Sequence, residues 1–311
     1  MDERLNKVIA RAGFASRRGA DQLILAGRIT VNGQIVTKLG FKVDPFRDDI
    51  RFDGQRVRLD HVQNHYIAFY KPRHIITTLS DPFDRSTVMD FIHLDARLFP
   101  VGRLDGDSEG LLILTNDGDL ANQLTHPRYE HEKEYRVKIS GTPLESTLKK
   151  WREGVWLDEG RTLPAKVTIE SSTGSGTWLR FVIKEGKNRQ IRRMIETFKH
   201  TVHRLVRVRV GPIVLGKLKP GKWRELKAQE LEALRVGSNE PIYHSDAPAP
   251  PEPKKKIKYK KGWARPKAKP NRHAGGPSRS KSTGNKQPRK SGPRPQAKAQ
   301  GQGVKRNRQR R

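Results

Sequence analysis

The chain has 311 residues, with 64 Lys/Arg against 33 Asp/Glu and a formal charge of +31. That length accommodates two ordinary domains, and the charge points to a polyanionic partner, either nucleic acid or an anionic membrane. Cysteine is absent, which excludes disulfides, thiolate catalysis and Cys-ligated zinc or iron–sulfur centres. No apolar run approaches the ~20 residues of a membrane helix. Met1 leads straight into Asp2-Glu3-Arg4, with no apolar signal stretch. The expectation is a cytoplasmic protein that works on nucleic acid and not at a membrane.

Residues 1–61 read as helix, helix and hairpin. Leu5, Val8, Ile9 and Ala12 recur at helical spacing, and Gly13 ends the run. Ser16 is a good N-cap for a second helix carrying Ala20, Leu23 and Ile24, closed by Gly27. Residues 29–36 then read as two short strands around Asn32-Gly33, a hairpin turn. Arg4, Lys7, Arg11, Arg17, Arg18 and Arg28 are left for the polar face. They are candidate phosphate contacts, or simply a solvated helix face. The stretch from Arg4 to Val36 resembles the S4 RNA-binding domain, through the Ser16-Arg17-Arg18 helix start and the Arg28 and Val31-Asn32-Gly33 hairpin. The resemblance implies a module for structured RNA and adds Ser16 and Asn32 to the candidate RNA contacts. It implies no chemistry.

Residues 62–235 form the second expected domain. Residues 66–70 read as a strand stopped by Lys71-Pro72, and 135–139, 165–169 and 178–183 alternate as half-buried strands. Along 205–210 the alternation predicts Val206, Val208 and Val210 on one face, with Arg207 and Arg209 on the other. One helix is clear at 188–198, with Ile191, Met194, Ile195 and Phe198 as its apolar stripe. The fold class is α+β, a small α/β module followed by a mainly antiparallel sheet.

The segment Gly102–Gly118, GRLDGDSEGLLILTNDG, is the densest site signal. Asp105, Asp107 and Glu109 alternate as at the start of a calcium loop. The positions that should follow with ligands are instead Leu111 to Leu114, and the closing glutamate is Asn116, so calcium is rejected. Gly211–Leu218 imitates a P-loop but ends in Leu218 where a hydroxyl is needed, and Pro212-Ile213-Val214-Leu215 is too stiff to wrap phosphate. Spacing alone leaves Asp105 open as a nucleophile or base, or as a turn residue.

GRLDxxSEGLLxLTNDG resembles the signature of the pseudouridine synthases, and within them the subfamily that modifies ribosomal RNA and carries an S4 domain. Tyr70-Lys71-Pro72, EKEYRV from Glu132, EGKNRQIRRM from Glu185 and RLVR from Arg204 match further segments in order. The resemblance spans residues 2 to about 234 and implies cofactor-free isomerisation of uridine to its C-glycoside. It makes Asp105 the nucleophile, attacking C1′ or the uracil ring or otherwise assisting glycosidic cleavage. Arg192 becomes its positive partner, Tyr135 the residue stacked on the flipped uracil, and Leu205 an apolar wall. Their structural readings are a surface pair of Arg192 with Glu196, a strand aromatic and a core leucine. Arg103 is placed to enter the space left by the flipped base. Lys187, Arg189, Arg207 and Arg209 complete the candidate RNA contacts. Asp107 and Glu109 are expected to be solvated turn residues, with Glu109 alternatively capping the following segment. Two departures stand out: His74 and Lys199 occupy places where the family usually has glycine.

From 236 to 311 the chain is expected to be a disordered tail. Residues 241–311 hold 22 Lys/Arg against two acids, a net +20, with 11 of the 20 prolines. Such a tail is expected to attract phosphate non-specifically. Its presence resembles the large-subunit enzymes, so 23S ribosomal RNA, free or in an assembling particle, is the expected partner of a monomer, with 16S as the alternative. The rival functions are a silent S4-type assembly factor and a metal-dependent ribonuclease using Asp105, Asp107 and Glu109.

Overall fold

The computed structural model describes residues 2–60 and 62–243, and the basic tail from residue 244 lies outside the described residues. The N-terminal unit comprises β1 (Glu3–Arg4), α1 (Leu5–Arg11), α2 (Arg17–Leu25), β2 (Ile29–Val31), β3 (Gln34–Ile35), β4 (Lys42–Val43), β5 (Ile50–Phe52) and β6 (Gln55–Arg56). Its sheet runs β3-β2-β5-β6. Ser16 Oγ accepts from Gly19 N at 2.9 Å, the expected cap of α2. Asn32 and Gly33 take φ of 51° and 80°, the pair of positive values that a tight hairpin turn needs. Leu5, Val8, Ile9, Ala20 and Ile24 pack with Ile29, Val31 and Ile50 into a core of their own.

The second unit comprises β7 (Tyr66–Lys71), β8 (Phe99–Val101), β9 (Glu109–Thr115), α3 (Gly118–Thr125), β10 (Lys133–Ile139), α4 (Glu145–Glu153), β11 (Trp156–Leu157), β12 (Gly160–Arg161), β13 (Lys166–Thr173), β14 (Gly176–Ile183), α5 (Gln190–Glu196), β15 (Val202–Val210), β16 (Ile213–Val214), β17 (Trp223–Glu225) and α6 (Ala228–Arg235). One nine-stranded sheet follows the path β13-β14-β10-β15-β9-β7-β17, with β8 on β9 and β16 on β15. Its pairs are antiparallel except β9 with β15. Both faces are covered, so the central strand β9 is buried along its whole length. This accounts for its unbroken Leu111–Leu114 run. One face packs Phe69, Leu112, Val137 and Phe181 against Trp151 of α4 and Met194 of α5. The other packs Leu111 and Ile113 against Leu120 and Leu124 of α3 and Leu234 of α6.

The fold class is the expected one, and four details differ. Helices α3, α4 and α6 are not legible in the sequence, because each buries only one or two apolar side chains, too few to register as a period. Helix α5 is shorter than 188–198, since Arg189 at its N-cap is left-handed with φ 47°. The packed chain also continues past residue 235, with Ile242 bridging Ile213. Finally, strand β15 does not alternate cleanly. Its register on β10 slips between Glu134↔Arg209 and Tyr135↔Arg207, which leaves Val208 as an extra residue. Such a bulge re-aims the side chains beyond it. Arg207 and Arg209, expected to share a face, point to opposite faces: Arg207 lines one cavity with Tyr135, whereas Arg209 lies with Glu134 and Arg136 on the other side.

Candidate active site

Asp105 sits on the loop between β8 and β9, at the head of a turn closed by Ser108 N donating to Asp105 O at 3.0 Å. Four groups pin this loop. Thr77 Oγ1 donates to Leu104 O at 2.7 Å and accepts from Leu104 N at 3.3 Å. His74 N donates to Gly106 O. Lys71 Nζ, fully buried, donates to Ser108 O and Pro72 O, each at 2.9 Å. Arg192 donates to Asp107 O at 3.1 Å and Ser108 Oγ at 3.2 Å. A side chain on a loop held at so many points is pre-positioned for chemistry.

The loop borders a cavity of about 470 Å³, within the range of small-molecule sites. Its position follows from the sheet. The parallel β9–β15 ladder is only two pairs long, Glu109↔Val206 and Gly110↔Arg207. Beyond it, toward their carboxyl ends, Ile113 of β9 and Val210 of β15 line the opening. Gly110 makes the close approach possible, with φ 109° and room for no side chain: a Cβ there would lie 2.2 Å from Arg207 O. Asp105, Tyr135, Arg192 and Leu205 all line this cavity, as do Arg103, Lys187, Arg189 and Arg207. Tyr135 is 8 % exposed and Leu205 7 %, so each shows the cavity a limited surface.

The charges are not arranged as the motif resemblance implies. It pairs Arg192 with Asp105, but Arg192 Nε lies 3.3 Å from Asp107 Oδ2, an ion-pair contact without a hydrogen bond. Burial lowers the Arg192 pKa, with Asp107 and then Asp105 opposing. Arg189 Nη1 reaches both Asp107 oxygens at 3.2 Å and Asp105 Oδ2 at 3.9 Å. Asp107 is therefore the clamp that holds two arginines beside Asp105. Glu109 is not a solvated turn residue either. It is buried, bound to Arg204 at 2.6 and 3.1 Å and to Tyr70 Oη at 3.1 Å. Burial pushes its pKa up, but Arg204 and Tyr70 outweigh that and hold it below the usual range. The three alternating carboxylates thus do not converge, because the last belongs to the strand's other face.

Two departures from glycine are accommodated by strain. His74 and Lys199 adopt φ of 65° and 61°, so both loops keep the left-handed turn. Among the other candidates, Arg4, Ser16, Arg17 and Arg18 are exposed, and none of these arginines has a carboxylate partner among the described residues. Lys7 is paired with Asp119 at 2.8 Å and Arg11 with Glu3 at 3.0 Å. Arg28 is paired with Asp53, and Asn32 is held by Asp48 and Asp49. Lys187 Nζ donates to Gly160 O and Arg161 O. Arg209 is the clearest correction: it is buried and bound to Glu132 at 2.9 Å, to Glu134 at 3.0 Å and to two carbonyls, a structural knot rather than an RNA contact. Sequence reasoning misses Lys71 as a clamp, although its place beside the proline is visible. It also passes over Lys133, which lies two residues before Tyr135 and lines the cavity.

The fold and site define a two-part enzyme, a small N-terminal module followed by a domain that holds Asp105 on a pinned loop beside a cavity of about 470 Å³. Residues 3–50 match the S4 domain family and residues 65–197 match the family described as RNA pseudouridylate synthase. A Bacillus subtilis protein named ribosomal large subunit pseudouridine synthase B is 43% identical over 237 residues, covering 75% of this chain and 96% of that one. A Haemophilus influenzae protein of the same name is 38% identical, covering 86% and 74% respectively. A crystal structure described as pseudouridylate synthase superposes with a TM-score of 0.55 at 28% identity, covering 74% of this chain and 99% of that one. The chain belongs to the RNA pseudouridine synthase family and is an isomerase.

Proposed function

We propose that this enzyme isomerises a specific uridine of ribosomal RNA, in the 23S molecule, with Asp105 as nucleophile and the uridine flipped out of its helix into the cavity. The observation that carries this reading is Asp105 on a loop pinned by Lys71, His74, Thr77 and Arg192 beside Tyr135 and Leu205. The N1–C1′ bond breaks, the ring turns, C5 bonds to C1′, C5 loses its proton and N1 gains one. Nothing is oxidised and no group is imported, so the reaction needs no cofactor. Tyr135 stacks on the base and Leu205 walls it. Arg192 and Arg189 keep the loop charged and oriented through Asp107. Flipping costs a few kcal/mol, and contacts made by the exposed Arg4, Arg17 and Arg18 offset it through remote binding energy. The choice of 23S rests on the names of the Bacillus and Haemophilus relatives. A monomer working in the cytoplasm suits this role, and no helix among the described residues is long and apolar enough to cross a membrane.

The test uses 23S and 16S transcripts carrying tritium at uridine C5, because isomerisation releases that tritium to water. Release from 23S in EDTA is expected, with Asp105→Asn lowering it to background. Release from 16S alone would move the target to the small subunit. Silence on both RNAs and on ribosomal precursors would leave an S4-type assembly factor.

A further inference from the structure

Several buried or half-buried cations have nearby carboxylates: Lys71, although hydrogen-bonded to two carbonyls, has Asp105, Asp107 and Glu109 close by. Arg209 has Glu132 and Glu134, Arg192 has Asp107, and Arg224 has the buried Glu230 at 2.7 Å. Lys133 and Arg207 break the pattern. The β10–β15 register sets Tyr135 opposite Arg207, and Lys133 lies two residues from Tyr135 on β10, so both cations share the face of Tyr135, while the bulge turns Arg209 to the other face. Lys133 and Arg207 both line the cavity. Arg207 is 5 % exposed and spends its Nε on Leu111 O at 2.7 Å. Among the described residues it makes no other side-chain hydrogen bond and no ion pair. Among the described residues Lys133 Nζ makes one hydrogen bond, to the His131 carbonyl at 3.4 Å, and it too has no carboxylate within ion-pair distance. Burial lowers the Lys133 ammonium to about 8, with the nearby Arg207 acting in the same direction. Two desolvated cations without a counter-charge are costly, and such a cost persists at sites where a ligand supplies the missing charge.

We propose that Lys133 and Arg207 form a phosphodiester subsite, which grips a phosphate adjoining the uridine held in the cavity. The proposal rests on the function inferred above, since it is the RNA backbone that brings the anion. Directly opposed residues on neighbouring strands stand about 5 Å apart, on the order of the ribose that separates a base from its phosphate. The base at Tyr135 therefore leaves its phosphate beside Arg207. Lysine and arginine together suit this ligand: the guanidinium offers a planar fork and the ammonium a point charge.

Direct binding of uridine, uridine 5′-monophosphate and uridine 3′-monophosphate to the full chain tests the subsite apart from catalysis, and the two monophosphates identify which phosphate is held. One monophosphate is expected to bind about tenfold more tightly than uridine. Lys133→Met is expected to erase that advantage with uridine binding unchanged, while Lys133→Arg retains most of it. Equal binding of all three, no monophosphate binding at millimolar concentration, or an advantage that survives Lys133→Met overturns the proposal. Tritium release by the wild type tests the underlying reaction independently. An active enzyme with no phosphate advantage sinks the subsite alone, and an inactive one sinks the function.

Discussion

Asp105 owes its place to neighbours on other segments of the chain, and the backbone strain at His74, beside its loop, and at Lys199 is measurable. A left-handed residue with a Cβ costs about 1–2 kcal/mol, and replacing it with glycine gives back part of the gain as unfolded-chain entropy. His74→Gly and Lys199→Gly are each expected to stabilise the fold by a net 0.5–1 kcal/mol, roughly, read as a higher urea midpoint. Lys71 provides a second handle. Burial lowers its pKa to about 8, against the pull of Asp105, Asp107 and Glu109. Between that value and the ordinary lysine value of 10.5 the unfolded chain binds more protons than the folded one, so unfolding free energy rises with pH there. Below about 8 the full charging cost, on the order of 3 kcal/mol, is carried. Urea titrations between pH 8 and 9.5 are expected to show this rise, with Lys133 contributing to it, and Lys71→Met is expected to flatten it.

Strands β9 and β15 decide where the site lies. Their short parallel ladder joins the two antiparallel halves of the sheet, and the cavity opens where that ladder stops. Gly110 is the point of closest approach. A methyl group there collides with backbone, which cannot swing aside as a side chain would. Gly110→Ala is expected to cost about 3 kcal/mol, the upper end of overpacking penalties, and to lower activity with it. Denaturation midpoints and tritium release measured on the same preparation check both. The bulge at Val208 is the companion device. Without it, the regular alternation would place Arg209 on the cavity face and break its pairing with Glu132 and Glu134.

Across the whole molecule, affinity and chemistry are separable. The chain beyond Tyr243 carries 22 basic residues against two acids, and none of the site residues lies there. Ending the chain at Tyr243 is expected to weaken RNA binding and make its salt dependence shallower. The log–log slope should fall by about 0.7 for each single-strand phosphate that the tail neutralises. The single-turnover rate at saturating enzyme is expected to stay unchanged. An equal fall in rate would assign the tail to the active site.

Local chemistry is enough for much of this protein. Capping at Ser16, the Asn32-Gly33 turn, the apolar period of α5 and the composition of the tail all depend on neighbours a few residues apart, which a sequence displays directly. The ordered motifs around Asp105, Tyr135, Arg192 and Leu205 likewise bring four residues to one cavity. Tertiary structure alone decides the pairings. Asp107 rather than Asp105 meets Arg192, Glu109 turns away to Arg204, and Arg207 and Arg209 part company at a bulge. The reason is geometric: a one-residue slip in a strand exchanges its faces, and the slip is set by a partner strand about seventy residues away along the chain, where no local pattern records it.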